Sequence, residues 1–137
     1  NVFATIDAII EGQSTKAIRM AHQVLESGRT APYLLTMIAR QLRLMITAKD
    51  LKNQGVSVRE LGSRLGLSDY PMRKILLQEK QLTHTQLVQF YKKIVATDLT
   101  IKSSSIDQDT VIELLVAELA SMPRDGSRVG YAQKHNS

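Results

Sequence analysis

Histidines, carboxylates and clustered glycines are the side chains and turns from which most catalytic and ligand sites are built, and in this sequence they are dispersed. His22, His84 and His135 lie far apart, and none shares the HExxH-type spacing that places two imidazoles on one helical face. They read as solvent-exposed or incidental histidines. Asp107 and Asp109 are close together, but they fall at a helix start, where the backbone dipole favours negative charge, so capping explains them better than acid–base work. A phosphate-binding loop needs clustered glycines running into a helix, and the seven glycines here are scattered at segment ends. Cysteine is absent, which excludes disulfides, cysteine-ligated zinc and thiol nucleophiles. The sequence therefore offers no catalytic, cofactor-binding or metal-ligating residues. The expectation is a chain that is not itself an enzyme, needs no cofactor and takes no small-molecule substrate.

The one motif with the spacing of a recognition element is Arg59-Glu60-Leu61-Gly62-Ser63-Arg64-Leu65-Gly66-Leu67-Ser68, followed by Met72 and Ile75. A small residue at Gly62 lets two helices approach, Gly66 makes the turn, and Leu61, Leu65, Met72 and Ile75 pack the pair together, which is helix-turn-helix spacing over residues 58–81. Arg73 and Lys74 would then face DNA. Against this, the stretch from Arg59 to Lys80 carries five basic and three acidic residues, and no basic arm accompanies it. The same geometry is also a general way to pack two short helices, so DNA binding stands as the alternative reading.

Two further charged sets have bland readings. Asp98 and Lys102 are one helical turn apart and can pair along the surface, unless Asp98 faces the core, where it would need a buried partner. Arg40, Arg43, Lys49 and Lys52 lie on the polar side of their helix, as a solvated face would.

The elements that position these residues are helical, because apolar residues recur at three and four rather than alternating. The fold class is all-α, a helical bundle of about six to seven helices. Val2 to Glu11 carries Phe3, Ile6, Ile9 and Ile10 and stops at Gly12, a left-handed terminator. Ser14 or Thr15 would cap the next helix, whose stripe is Ala17, Ile18, Ala21, Val24 and Leu25. The third helix opens near Pro32, runs to about Asn53, and is apolar on more than one face; such a helix is central to a bundle or holds a second face for a partner. Val58–Leu65 and about Asp69–Gln81 follow, with Ser68 as N-cap and Pro71 in the first turn. The sixth helix, Thr83 to about Ser103, is expected to point Leu87, Phe90, Tyr91, Ile94 and Val95 inward. The seventh, about Asp107 to Ser121, carries Val111, Ile112, Leu114, Leu115, Val116 and Leu119 and ends at Pro123, with residues 123–137 expected to form a flexible tail.

The whole chain is 137 residues long, 43% hydrophobic and 23% charged, the composition of one globular domain. Its net charge of +5 owes two units to Arg124, Arg128 and Lys134 against Asp125 in the last fifteen residues. The remaining excess suits proximity to nucleic acid or to an acidic partner without being a nucleic-acid signature. No apolar run approaches the roughly 18 residues of a membrane span, and Asn1-Val2-Phe3 has neither an initiator Met nor a signal-peptide layout. No membrane association, a cytoplasmic location and excision from a longer protein are the expectations.

Several strings go further. Asn1-Val2-Phe3 through Asp7-Ala8-Ile9-Ile10-Glu11-Gly12 resembles the opening of the third domain of delta subunits in the bacterial DNA polymerase III clamp loader. Ala39-Arg40-Gln41-Leu42-Arg43-Leu44 is similar to that family's ARQLRLL-type stretch. Leu65-Gly66-Leu67, Tyr70, Arg73-Lys74-Ile75-Leu76 and Gln78 resemble its middle pattern, Ala96 to Ser103 its ADLxIKSG-type signature, and Glu113 to Leu119 its closing helix. The similarity runs in order over about residues 1–120, departing at Ser104, where the family often has glycine, and after Met122. The resemblance implies that residues 1–122 form a collar (oligomerisation) domain, and that the intact protein's two N-terminal AAA+-like domains, which open the sliding clamp, lie outside this chain. It also implies partners: the collar domains of the other clamp-loader subunits, with the sliding clamp and primer–template DNA met through the intact complex. The residues expected at such an interface are Leu35, Arg40, Arg43, Leu44 and Tyr91.

Overall fold

A computed structural model describes residues 2–123 of the chain, and among them are seven helices and no strand: α1 (Val2–Ile10), α2 (Ser14–Glu26), α3 (Ala31–Asn53), α4 (Val58–Leu65), α5 (Asp69–Glu79), α6 (His84–Ser103) and α7 (Gln108–Ser121). The expected all-α bundle is thus the fold observed, with helix ends within about two residues of their sequence signals. Beyond Pro123 the expected tail lies outside the described residues. No helix among those described is long and apolar enough to cross a membrane.

The helix starts follow from capping chemistry in most cases. Thr30, Ser57, Thr83 and Asp107 each accept a backbone N–H of the first turn, and at Thr83 the Gln86 side chain reaches back to complete a capping box. Two expectations need correction. Ser14 and Thr15 lie inside α2, and the N-cap position is Gln13, whose side chain makes no cap bond. The cause is the tight turn before it: Gly12 takes a left-handed φ of 74°, and Gln13 N–H returns to Ala8 O, so the helix begins one residue early. Ser68 occupies the expected N-cap position of α5, but its hydroxyl makes no capping bond.

Helix α3 is the axis of the domain and packs against all six other helices. Of the two roles its sequence allowed, the central one is realised. Leu34, Leu35, Ile38, Leu42, Met45 and Ala48 are buried along it, meeting α6 through Leu87, Phe90 and Ile94. Helices α1, α2 and α7 form a second layer around Ala17, Ala21, Ile112, Val116 and Leu119, where the alanines of α2 let the backbones approach. Helix α4 contributes a single buried side chain, Leu61, and packs chiefly on α3.

Outside the apolar core, α2 and α7 are joined by His22. Its Nδ1 lies 2.9 Å from Glu113 Oε1 and its Nε2 3.0 Å from Glu26 Oε1. Two carboxylate partners require two ring N–H groups, and the hydrogen bond to Glu113, with the charge of Glu26 next in size, raises the imidazole pKa above its ordinary value of 6.5. His22, expected to be exposed or incidental, is exposed but links two helices. A raised native pKa stabilises the fold fully below the unfolded value and ceases to do so as pH climbs through the higher native value. The melting temperature should therefore fall from about pH 6.5 upward. The His22→Gln variant should lack that descending step, which melting curves across the pH range will test.

Candidate assembly surface and helix-turn-helix

The interface candidates divide into two groups. Leu35, Arg43 and Tyr91 come together at a cleft between α3 and α6 of about 170 Å³, lined also by Thr36, Ala39, Ile94, Val95 and Asp98. Arg43 Nη1 donates to Tyr91 Oη at 3.4 Å across its mouth. Leu35 is only 4% exposed and forms the floor, so it is a core residue before it is a contact residue. Arg40 and Leu44 do not line this cleft: Arg40 is exposed, and Leu44 is half-buried against the core.

Helix α6 departs from its expected pattern here. Leu87, Phe90, Ile94 and Ile101 are buried, but Val95 is 53% exposed and Leu99 65% exposed, so apolar surface continues from the cleft along the outer face of the helix. Tyr91 is half-buried at its edge. The buried positions recur at three, four and seven, a narrow stripe that leaves Val95 beyond its border. Asp98 is not a core residue either: it accepts from Lys102 Nζ at 2.8 Å, the surface pair that the spacing allows.

Helices α4 and α5 fall at the bounds that the helix-turn-helix spacing gave and are joined by a tight turn, but each packs chiefly on α3. Gly66 adopts a left-handed φ of 66°, Leu67 N–H bonds to Gly62 O, and Leu61, Met72 and Ile75 are buried between the pair and α3. A Cβ on Gly62 would sit 3.4 Å from Leu67 O, at the near edge of ordinary van der Waals contact. The two DNA-contact candidates behave differently. Arg73 is exposed, whereas Lys74 is half-buried and its Nζ donates to Asp7 Oδ2 at 3.0 Å. That hydrogen bond, and the charge of Asp7, raise the lysine pKa.

Sequence reasoning missed the polar core that Lys74 belongs to. Gln41 Nε2 donates to Gln78 Oε1 at 2.7 Å, and Gln78 Nε2 donates to Asp7 Oδ1 at 2.8 Å, tying α3, α5 and α1 together. Gln41 and Gln78 are buried. Beside them, Glu79 on α5 accepts from Lys49 at 2.9 Å and Lys52 at 2.5 Å, both on α3. Burial pushes the Glu79 carboxyl up, and the hydrogen bonds from Lys52 and Lys49 more than offset it, leaving its pKa below the ordinary carboxylate value. Lys49 and Lys52, expected on a solvated face, are instead the counter-charges of a buried carboxylate. A signal was present, since Asp7, Gln41, Lys74 and Gln78 each lie within one of the strings that carried the resemblance.

Among the described residues no three His, Asp or Glu side chains converge in a way that would hold a metal. The geometry is that of a helical module whose polar groups lock helices together, and the same fold is present in a solved structure. The Bacillus subtilis DNA clamp loader delta protein superposes with a TM-score of 0.81 at 19% identity, over 89% of this chain and 36% of that one. The chain belongs to the family of the DNA polymerase III delta subunit, C-terminal domain, whose sequence model matches residues 1–119. A curated relative, the DNA polymerase III subunit delta of Bacillus subtilis strain 168, is 19% identical over 119 residues, which cover 87% of this chain and 34% of the relative. The chain thus spans about a third of the length of each relative.

Proposed function

We propose that residues 1–122 are the collar domain of a clamp-loader delta subunit, a non-catalytic assembly module that binds the collar domains of the other loader subunits. In this reading, sliding-clamp opening and the main contacts to primer–template DNA belong to AAA+-like domains outside this chain, and the protein works in the cytoplasm during DNA replication. The observation that carries it is the α3–α6 cleft, where Leu35, Arg43 and Tyr91 meet beside the exposed Val95 and Leu99. Tyrosine and arginine around an apolar floor are the residue types enriched at interface hot spots, and a subunit in a ring needs lateral surfaces of this kind. The engagement of Lys74 by Asp7 weighs against the helix-turn-helix as a DNA reader, since only Arg73 of its two candidate contacts is left facing solvent.

Sedimentation of the chain with separately purified collar domains from its own loader's ATPase subunits, with duplex DNA in a parallel cell, tests the reading. A heavier complex with the collar domains and none with DNA is the expected result. The combined Arg43→Glu and Tyr91→Ala changes should weaken that complex about tenfold or more. Salt-sensitive binding to DNA without collar association would overturn it in favour of the helix-turn-helix.

A further inference from the structure

A second cleft, sharing no residue with the first, opens between α4 and α5. It has a volume of about 380 Å³ and is lined by Val58, Arg59, Gly62, Leu67, Asp69, Met72, Arg73 and Leu76. Its floor is apolar, and Val58 is 55% exposed there. Leu77, one turn beyond Arg73 on α5, is 61% exposed and extends that apolar surface. The cations at its rim differ from their neighbours. Arg64 pairs with Glu60 and Lys74 with Asp7, while Arg59 and Arg73 are exposed and form no ion pair among the described residues.

Two unpaired guanidinium groups over an apolar depression define a complementary ligand. We propose that the α4–α5 cleft is a docking site for an acidic peptide segment, whose apolar side chains enter between Val58, Met72 and Leu76 while its carboxylates pair with Arg59 and Arg73. Guanidinium groups bind carboxylates through two parallel hydrogen bonds, and desolvated apolar anchors supply the larger share of affinity. A nucleic-acid backbone fits the cleft less well. Phosphates would gain nothing from the apolar floor, whereas a peptide brings apolar side chains to fill it; Asp69 on the lining repels either anion and keeps the carboxylates to the two arginines.

A random 12-residue peptide library displayed on phage, selected on the 137-residue chain, is an unbiased probe. Enriched peptides should combine Asp or Glu with large apolar residues. Synthetic copies of them, titrated by fluorescence anisotropy, should bind the Arg59→Glu/Arg73→Glu variant at least tenfold more weakly, and the Val58→Ser variant should lose affinity at unchanged charge. Both arginines and Val58 are exposed, so these variants should keep the parent's melting temperature. Failure to enrich any peptide that distinguishes parent from variant overturns the proposal. So does binding of a 20-base-pair duplex that falls steeply with salt and disappears in the same double variant, which would make the site a nucleic-acid surface.

Discussion

Replacing Glu79 with alanine should destabilise the domain by about 3–5 kcal/mol, the usual cost of removing one partner from a buried ion pair. The carboxylate side chain is 3% exposed, and both of its oxygens are held by lysines from α3. Lys49 and Lys52 are 17% and 30% exposed, so after truncation they can turn partly toward water, which places the effect at the lower end. Domains of this size are stable by only about 5–15 kcal/mol, so the loss is a large fraction of the total. Urea titration at pH 7 measures it, and a change under about 1 kcal/mol would mean that the triad is not what holds α5 on α3. The pH dependence has a definite sign. Because the native pKa lies below the ordinary value of 4.5, the stabilisation is complete above that value and is lost as pH falls through the lower native one. Parent and Glu79→Ala stabilities should therefore converge on acidification.

Gln78→Ala should cost about 2–4 kcal/mol, from a cavity at a residue 1% exposed and from two groups that lose their partners. The Gln41 amide would be left buried without its acceptor, and Asp7 Oδ1 without its donor. Asp7 is 29% exposed and can recruit water, but Gln41 cannot. Replacing both glutamines with leucine removes the unmet hydrogen-bonding need along with the bond. The Gln41→Leu/Gln78→Leu double variant should then be less destabilised than the sum of its two single changes. Strict additivity in that cycle would show that the glutamines do not act as a pair.

The difference between what could be read from the sequence and what could not follows from range. Helix ends are written locally, in Gly12, Gly28, Gly55 and Gly66 and in the hydroxyls of Thr30, Ser57 and Thr83, so seven segments could be placed by inspection. The buried polar core is not local. Gln41 meets Gln78 across 37 residues and Gln78 meets Asp7 across 71, and periodicity assigns each of these side chains to a polar face. Glu79 and its lysines were hidden for the same reason. Val95 failed differently: its apolar character predicted a core position, but the buried stripe of α6, Leu87, Phe90, Ile94 and Ile101, is narrow, and Val95 lies beyond its border in solvent. At the candidate surface, Leu35, Arg40, Arg43, Leu44 and Tyr91 were expected as one set, and only packing could bring Leu35, Arg43 and Tyr91 to one cleft and leave Arg40 and Leu44 elsewhere.

The placement of α3 bears on how the domain comes apart. Helix α3 touches every other helix, and α1, α2, α6 and α7 also pack on one another, so the two layers share one core and should be lost in one cooperative step. Helix α4 is the exception, because it is pinned mainly through Leu61. It can detach and reattach while the remainder stays native, and its amide protons should exchange with solvent through that partial opening long before those of α3.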